Sequence, residues 1–530
     1  MQEEARTDLA RVLGYRSKPA ESALEGFDRD QRKVRLAVRA IHQRVYFRPL
    51  LEAFVEAETE LSPEAAEARL TAFGFTDAGR TKAAVRELTR GLNRASRLMR
   101  QLLPLMLDWL STSPDPDLGL LTLRNLTVPP RSAQLVEAFR ESPDVARVLC
   151  RVVGTSPRVG EILIHNPDLV ARLPVAERLL TRRRTELVAS ATTASGWREQ
   201  PAERQEALRR WKERHLVGIA ARDIVHDETV ETVGRDLTRL AEACVEVTLA
   251  SERPGGLPFS VVAMGRFGGT SISYASDLDV VFVYEGDGSE VFEEADRLGR
   301  QMLRSINGPS PSDRIYEIDA QLRPEGAQGP MARTVQGFVA YFERWAQTWE
   351  RLAYMRARPI AGDLELGWRL IESIEEHVWG SGLDAESTRE LRRMKARVET
   401  ERIPVGEDPR FHLKLGPGAL TDIEWTAQLL QLRHGVRGTG TIEALEALDA
   451  AGHLEEPDTR TLIDSYVFLE QVRNRLYLVS ASATDSLPTR PEQMTRLSRS
   501  LDTNPVELRD HYLRQTRRSR KLVEKLFYET

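Results

Sequence analysis

Two short segments hold residue types that could do chemistry together. Gly268 and Gly269 close the stretch Met264-Gly265-Arg266-Phe267-Gly268-Gly269, and Asp277 and Asp279 follow after seven intervening residues. Paired glycines let backbone N–H groups approach phosphate oxygens with no side chain between. Carboxylates two positions apart point to one face of an extended segment. Such a pair repels itself unless a cation lies nearby. Mg²⁺ shared with the phosphates of a nucleotide meets that need. The combination predicts nucleotidyl transfer, with Ser276, next to Asp277, among the nucleotide-binding candidates.

A third acid completes such a site, and Asp319 is the candidate. In the expected two-metal displacement, Asp277 and Asp279 hold Mg²⁺ on the phosphates. Asp319, with that pair, holds a second ion near the attacking hydroxyl, lowering its pKa or taking its proton. Arg323 is expected on the same strand face as Asp319, offsetting phosphate charge. Arg182-Arg183-Arg184 reads as a solvated helix face. The nine histidines show no zinc spacing, and no nucleophile-elbow or P-loop pattern is present. Trp345, Trp349 and Trp425 offer stacking surfaces for a base, although core packing is the commoner use of tryptophan.

These residues need elements to carry them. Pro258 to Met264 and Asp279 to Tyr284 read as strands, the second apolar on both faces as a central strand is. Ile315 to Arg323 alternates, with Tyr316, Ile318, Ala320 and Leu322 on one side and Glu317, Asp319, Gln321 and Arg323 on the other. A helix fits residues 289–306, and Ser251 to Gly256 reads as a turn. Elsewhere the period is helical. Val85, Leu88, Leu92, Ala95, Met99 and Leu102 form one stripe, and Val233, Leu237, Leu240, Cys244 and Val247 another. Ser62-Pro63-Glu64 resembles a helix start. Ser111 to Asp117 and Val128-Pro129-Pro130 read as helix ends, and the polar stretch 191–204 as a loop. The expected fold is mostly α, with an embedded α/β domain and helical regions before and after it.

Composition narrows the setting. At 530 residues the chain exceeds a single core and predicts two to four domains. A net charge of −5 gives no footprint for nucleic acid. Cys150 and Cys244 are the two cysteines, too few for a disulfide framework, so a reducing compartment is expected. The start carries no apolar signal region, and no run is long enough for a membrane span, so a cytoplasmic protein is expected.

The Gly-Gly and Asp-x-Asp layout resembles the nucleotidyltransferase superfamily. More narrowly, the chain resembles glutamine synthetase adenylyltransferase, the bifunctional adenylyltransferase/deadenylylase. Gly265 to Gly269, Tyr274 to Asp279, Asp319 to Gly326, Trp345 to Glu350, Arg356 to Arg358, Met394 to Arg397, Lys414 to Gly416 and Asp422 to Trp425 carry the likeness. The resemblance implies a polymerase-beta-like domain with Asp277, Asp279 and Asp319 as metal-binding acids, ATP as substrate and two Mg²⁺ ions. It implies the C-terminal, adenylylating half of the family enzyme. The expected divisions are 1–58 (tail of the deadenylylase half), 59–200 (central regulatory region), 201–345 (catalytic domain) and 346–530 (C-terminal helical domain). The implied activity moves AMP from ATP to a tyrosine of glutamine synthetase in the control of nitrogen metabolism, with PII signalling protein as a regulator. Alternatives are phosphate-dependent deadenylylation of the same target and a non-catalytic module binding glutamine synthetase or PII. Two segments depart from the family pattern: Thr270 to Ser273, and Gly416-Pro417-Gly418-Ala419, which lacks the usual arginine.

Overall fold

The computed structural model describes residues 3–13, scattered positions between 15 and 34, and 70–529 apart from 72, 90–93, 129–130, 174–181, 253–255, 381, 481 and 483. The helix start expected at Ser62 and the stripe residue Leu92 lie outside the described residues, as does most of 1–58.

Helices α1 (Glu3–Val12), α2 (Ala78–Thr89), α3 (Arg94–Ser111), α4 (Pro116–Leu126), α5 (Arg131–Glu141), α6 (Pro143–Val153) and α7 (Pro157–His165) lead in. Val85, Leu88 and Met99 of the expected stripe are buried in one core with Leu120, Leu149 and Leu163. The expected break at 111–117 separates α3 from α4. There the Asp115 carboxylate accepts from Leu118 N–H at 3.0 Å and Pro116 occupies the first turn, satisfying a donor that the helix start leaves open.

The loop expected over 191–204 is shorter than its polarity suggests. Helix α8 (Arg184–Ser195) continues to Ser195, and α9 (Pro201–His226) restarts at Pro201. Only Leu187, Ala191 and Ser195 of α8 are buried, and Thr192 and Thr193 hydroxyls donate back to Val188 and Ala189 carbonyls at 2.9 Å. A narrow buried stripe needs few apolar residues. The Arg182-Arg183-Arg184 run lies at the start of α8 rather than along a helix face, and Arg184 pairs with Glu242 and Glu246 at 3.3 and 3.2 Å. Helix α10 (Val230–Glu252) buries the second expected stripe and extends into the expected turn.

A five-stranded mixed sheet follows, made of β1 (Phe259–Ala263), β2 (Leu278–Tyr284), β3 (Ile318–Asp319), β4 (Ala332–Thr334) and β5 (Arg358–Gly362). The order is β3-β2-β1-β5, with β4 also on β2. Strand β1 runs antiparallel to β2 and β5, while β2 runs parallel to β3 and β4. Helix α11 (Gly265–Gly268) is a single turn between β1 and β2, and α12 (Ser289–Asn307) is the expected crossover helix. Phe259, Val261, Val280 and Phe282 pack against α10 and α12. Val262, Met264, Val281 and Val283 pack on the other face beneath the C-terminal helices. Burial on both faces explains the continuous apolar pattern of β2.

The strand expected over Ile315–Arg323 pairs only at Ile318–Asp319. Beyond it the Arg323 guanidinium turns back, Nη1 donating to the Ala320 carbonyl at 2.7 Å, and the chain closes into a turn. Strands β4 and β5 are additional to the sequence reading.

The rest is helical: α13 (Val335–Arg344), α14 (Thr348–Tyr354), α15 (Leu364–Glu375), α16 (Ala385–Glu401), α17 (Leu420–His434), α18 (Thr441–Ala450), α19 (Glu456–Ser480), α20 (Pro491–Ser500) and α21 (Pro505–Val523). Among the described residues no helix is long and apolar enough to cross a membrane.

Candidate active site

Asp277 and Asp279 stand at the start of β2, on the face that Val281 and Val283 continue toward the C-terminal helices. The parallel register sets Asp319 directly opposite Asp279 and Ile318 opposite Leu278. Paired residues in register share a face, so all three aspartates line one edge of the sheet. Asp277 is exposed; Asp279 and Asp319 are half-buried. Burial, and then the charges of Asp277 and Asp319, push the Asp279 carboxyl up to about 7, against the opposing pull of Lys414 and Arg402.

Among the described residues, no three His, Cys, Asp or Glu side chains already converge as a ligand set. The three aspartates share a face and a charge without closing on one point. Their chemistry fits a hard divalent cation: every donor is a carboxylate oxygen. The ionised form of Asp279 is made costly first by burial and then by the two neighbouring carboxylates.

The glycine turn lies beside them. Gly265 has φ +51°, and a Cβ there would come within 3.1 Å of Asp279 Oδ2. Gly268 and Gly269 have a packing reason that the sequence did not show. A Cβ on Gly268 would lie 2.0 Å from the Arg356 carbonyl, and one on Gly269 would lie 2.7 Å from that of Thr439. Their N–H groups donate to the Met264 and Gly265 carbonyls at 2.8 and 3.0 Å. In this conformation the phosphate-facing donors expected at the glycine pair are occupied. The N–H groups of the first turn of α11, from Gly265 to Phe267, are the ones that helix geometry leaves open.

Ser276 shapes the approach to Asp277. Its hydroxyl accepts from Ser273 N–H at 2.9 Å and lies 3.0 Å from the Ser273 hydroxyl. Arg473, buried on α19, donates to that Ser273 hydroxyl at 2.7 Å and to Asp485 at 2.5 Å. Arg323 does not share a strand face with Asp319. It is buried and bonds the carbonyls of its own turn at Ala320 and Gly329, because pairing stops at Asp319. Trp349 and Trp425 pack partly buried beneath the sheet, while Trp345 is 71% exposed.

The cations facing the acids escaped sequence reasoning as site residues. Lys414 lies in a loop fixed by a buried ion cluster. Asp422 accepts from Gly418 N–H at 2.7 Å and pairs with Lys395 and, at 3.0 Å, with Arg520. Lys395 and Asp422 side chains are 1% and 2% exposed. A buried carboxylate with three cationic or N–H partners is a firm anchor for a loop. The one signal available was the resemblance of the segments holding Lys395, Lys414 and Asp422, which meet here.

Residues 146–373 match the family model described as glutamate-ammonia ligase adenylyltransferase, and residues 388–530 match that of GlnD PII-uridylyltransferase. The bifunctional glutamine synthetase adenylyltransferase/adenylyl-removing enzyme of Streptomyces coelicolor is 38% identical across 98% of the chain. The chain belongs to the glutamine synthetase adenylyltransferase family. The like-named proteins of Corynebacterium glutamicum and Mycolicibacterium smegmatis are 33% and 34% identical across 98% and 99% of the chain. The chain spans about half the length of these family members: 55%, 53% and 55%. The first family match takes in the glycine turn and all three aspartates; the second takes in Lys395, Lys414 and Asp422.

Proposed function

We propose that the chain transfers AMP from ATP to a tyrosine hydroxyl of glutamine synthetase. The observation that carries the reading is the Asp279–Asp319 register beside Asp277. Asp277, Asp279 and Asp319 would hold Mg²⁺, two ions in all, which when bound neutralises phosphate charge and acidifies a nearby hydroxyl. Asp319 stands where it can orient or accept the proton of the attacking tyrosine hydroxyl. The Gly265–Gly269 turn and Ser276 shape the phosphate side, with Gly265 keeping the backbone close to Asp279. Lys414 and Arg402 face the acids and offset charge on the departing pyrophosphate. Arg323 acts through the turn that follows Asp319 and not by phosphate contact. A PII-type signalling protein is the regulatory partner in this reading.

Intact-mass spectrometry of glutamine synthetase incubated with the chain, Mg²⁺ and ATP tests it. The expected outcome is a gain of one AMP per modified subunit, absent with Asp277→Asn. No gain while ATP still binds rejects the transfer reading. The relatives' names also carry adenylyl removal, which is the second reading. Release of ADP from adenylylated target and phosphate would support it.

A further inference from the structure

The turn that leads into Asp277 is held from a distant part of the chain. Ser273 and Ser276 close it. Ser276 N–H donates to the Ser273 carbonyl at 3.2 Å, and Ser273 N–H donates to the Ser276 hydroxyl at 2.9 Å. The two hydroxyl oxygens lie 3.0 Å apart. Arg473, 200 residues further along on α19, reaches this pair, its Nη1 donating to Ser273 Oγ at 2.7 Å.

The arginine is itself fixed. Its side chain is 5% exposed, and its Nε and Nη2 donate to the Asp485 carboxylate at 2.5 and 3.4 Å. Burial pushes the Asp485 carboxyl up, but the charge of Arg473 and its hydrogen bond hold it below the ordinary value. The Asp485 carbonyl accepts from Leu413 N–H at 2.6 Å, next to Lys414. Arg473 and Asp485 therefore tie the turn before Asp277 to the loop that carries Lys414.

Burial sets which way the hydroxyl protons run. A serine hydroxyl has one proton to give and two lone pairs to fill. A guanidinium can only donate, so Arg473 fills a lone pair on Ser273 and takes no proton. Ser273 is 4% exposed, and among the described residues Ser276 Oγ is the acceptor its hydroxyl meets. A buried hydroxyl proton without an acceptor is costly. The Ser273 proton therefore points to Ser276. Ser276 Oγ then accepts twice, from the N–H and from the hydroxyl of Ser273. Both its lone pairs are filled, and its own proton is what remains. Among the described residues no acceptor takes that proton. Ser276 is half-buried and precedes the exposed Asp277.

A hydroxyl that can only donate favours an anion. On the nucleotide reading of the site given above, we infer that Arg473 and Ser273 are positioning residues that fix the Ser276 hydroxyl as a donor to a phosphate oxygen of the nucleotide. Arg473 never touches the nucleotide; it acts through Ser273.

Titration calorimetry of the whole chain with Mg²⁺ and ATP, without glutamine synthetase, reads this contact apart from transfer. Ser276→Ala is expected to weaken ATP by about tenfold. Ser273→Ala is expected to weaken it by about threefold or more. The double variant is expected to bind no more weakly than Ser276→Ala alone, because both changes remove one contact. A general loss of packing would instead multiply the two effects. Melting temperature checks that each variant folds. Should Ser273→Ala unfold, Arg473→Lys takes its place in the same cycle. Unchanged ATP affinity in either single variant, or losses that multiply, would overturn the inference. A parent that binds no millimolar ATP would overturn it together with the transfer reading. A parent that binds ATP through Ser276 yet adds no mass to glutamine synthetase would sink the transfer reading alone.

Discussion

Replacing Asp279 with asparagine should abolish transfer and at the same time stabilise the metal-free protein. Its carboxyl is raised from 3.8 to about 7 by burial and by Asp277 and Asp319. A raised carboxyl pKa means that the folded chain holds a proton more tightly than the unfolded chain. The contribution to stability is therefore complete below the unfolded value and is lost as pH climbs through about 7. Above that point the folded protein carries an ionised carboxylate it holds poorly. The full linkage energy is ~4 kcal/mol. Asp279 is only half-buried, and solvent screening reduces the figure to ~2 kcal/mol. Asparagine keeps the shape and removes the charge. Urea denaturation in EDTA at pH 8 should show the variant more stable by ~2 kcal/mol. The gap should shrink steadily as pH falls toward 4. A variant less stable than the parent at pH 8, or a gap that ignores pH, would refute the idea that burial and the neighbouring acids make this carboxylate costly to ionise.

Three further outcomes are expected. Saturating Mg²⁺ should stabilise the parent by ~2–3 kcal/mol, read as a shift in melting temperature, and the shift should vanish in Asp319→Asn. Gly265→Ala should cut the transfer rate while leaving circular dichroism unchanged, because a left-handed alanine costs ~1–2 kcal/mol and its methyl meets Asp279 Oδ2. Lys395→Met should destabilise the fold by about 3 kcal/mol or more in urea, since it removes the buried cation of the cluster and leaves Asp422 and Glu399 to share the half-exposed Arg520 alone.

The common face of Asp277 and Asp279 was legible because it is local: two positions fix it, and an apolar run fixes the strand that follows. The alternation placed Asp319 on a strand beside the pair, although only two residues of that alternation pair. Arg323 was misplaced because alternation cannot reveal where a side chain bonds its own backbone and stops a strand. Strand β5 escaped notice because Pro359 interrupts it. At the end of the strand order β5 has one unpaired edge, where a missing N–H is tolerated. Strand β4, with three residues, is too short to show a period. Lys414, Arg402 and Arg473 reach the site from distant parts of the chain, so no spacing could announce them. The length of α8 was hidden because its buried face is so narrow.

The two-sided burial of β2 has a consequence for biosynthesis. One face is covered early, by α10 and α12, whose residues flank the strand in sequence. The other is covered by Phe338, Leu366 and Leu370, and is completed only by Leu429, Val523 and Phe527. Roughly 240 residues separate Val283 from Phe527, on the order of 10–50 s of ribosomal elongation. Throughout that interval the cover over Val262, Val281 and Val283 is unfinished, begun by Phe338, Leu366 and Leu370 and closed only by the last helix, and the nascent chain offers a partly open apolar layer. Chaperones should therefore hold ribosome-bound chains stalled before residue 420 far longer than those stalled beyond 527, and selective ribosome profiling would register the difference.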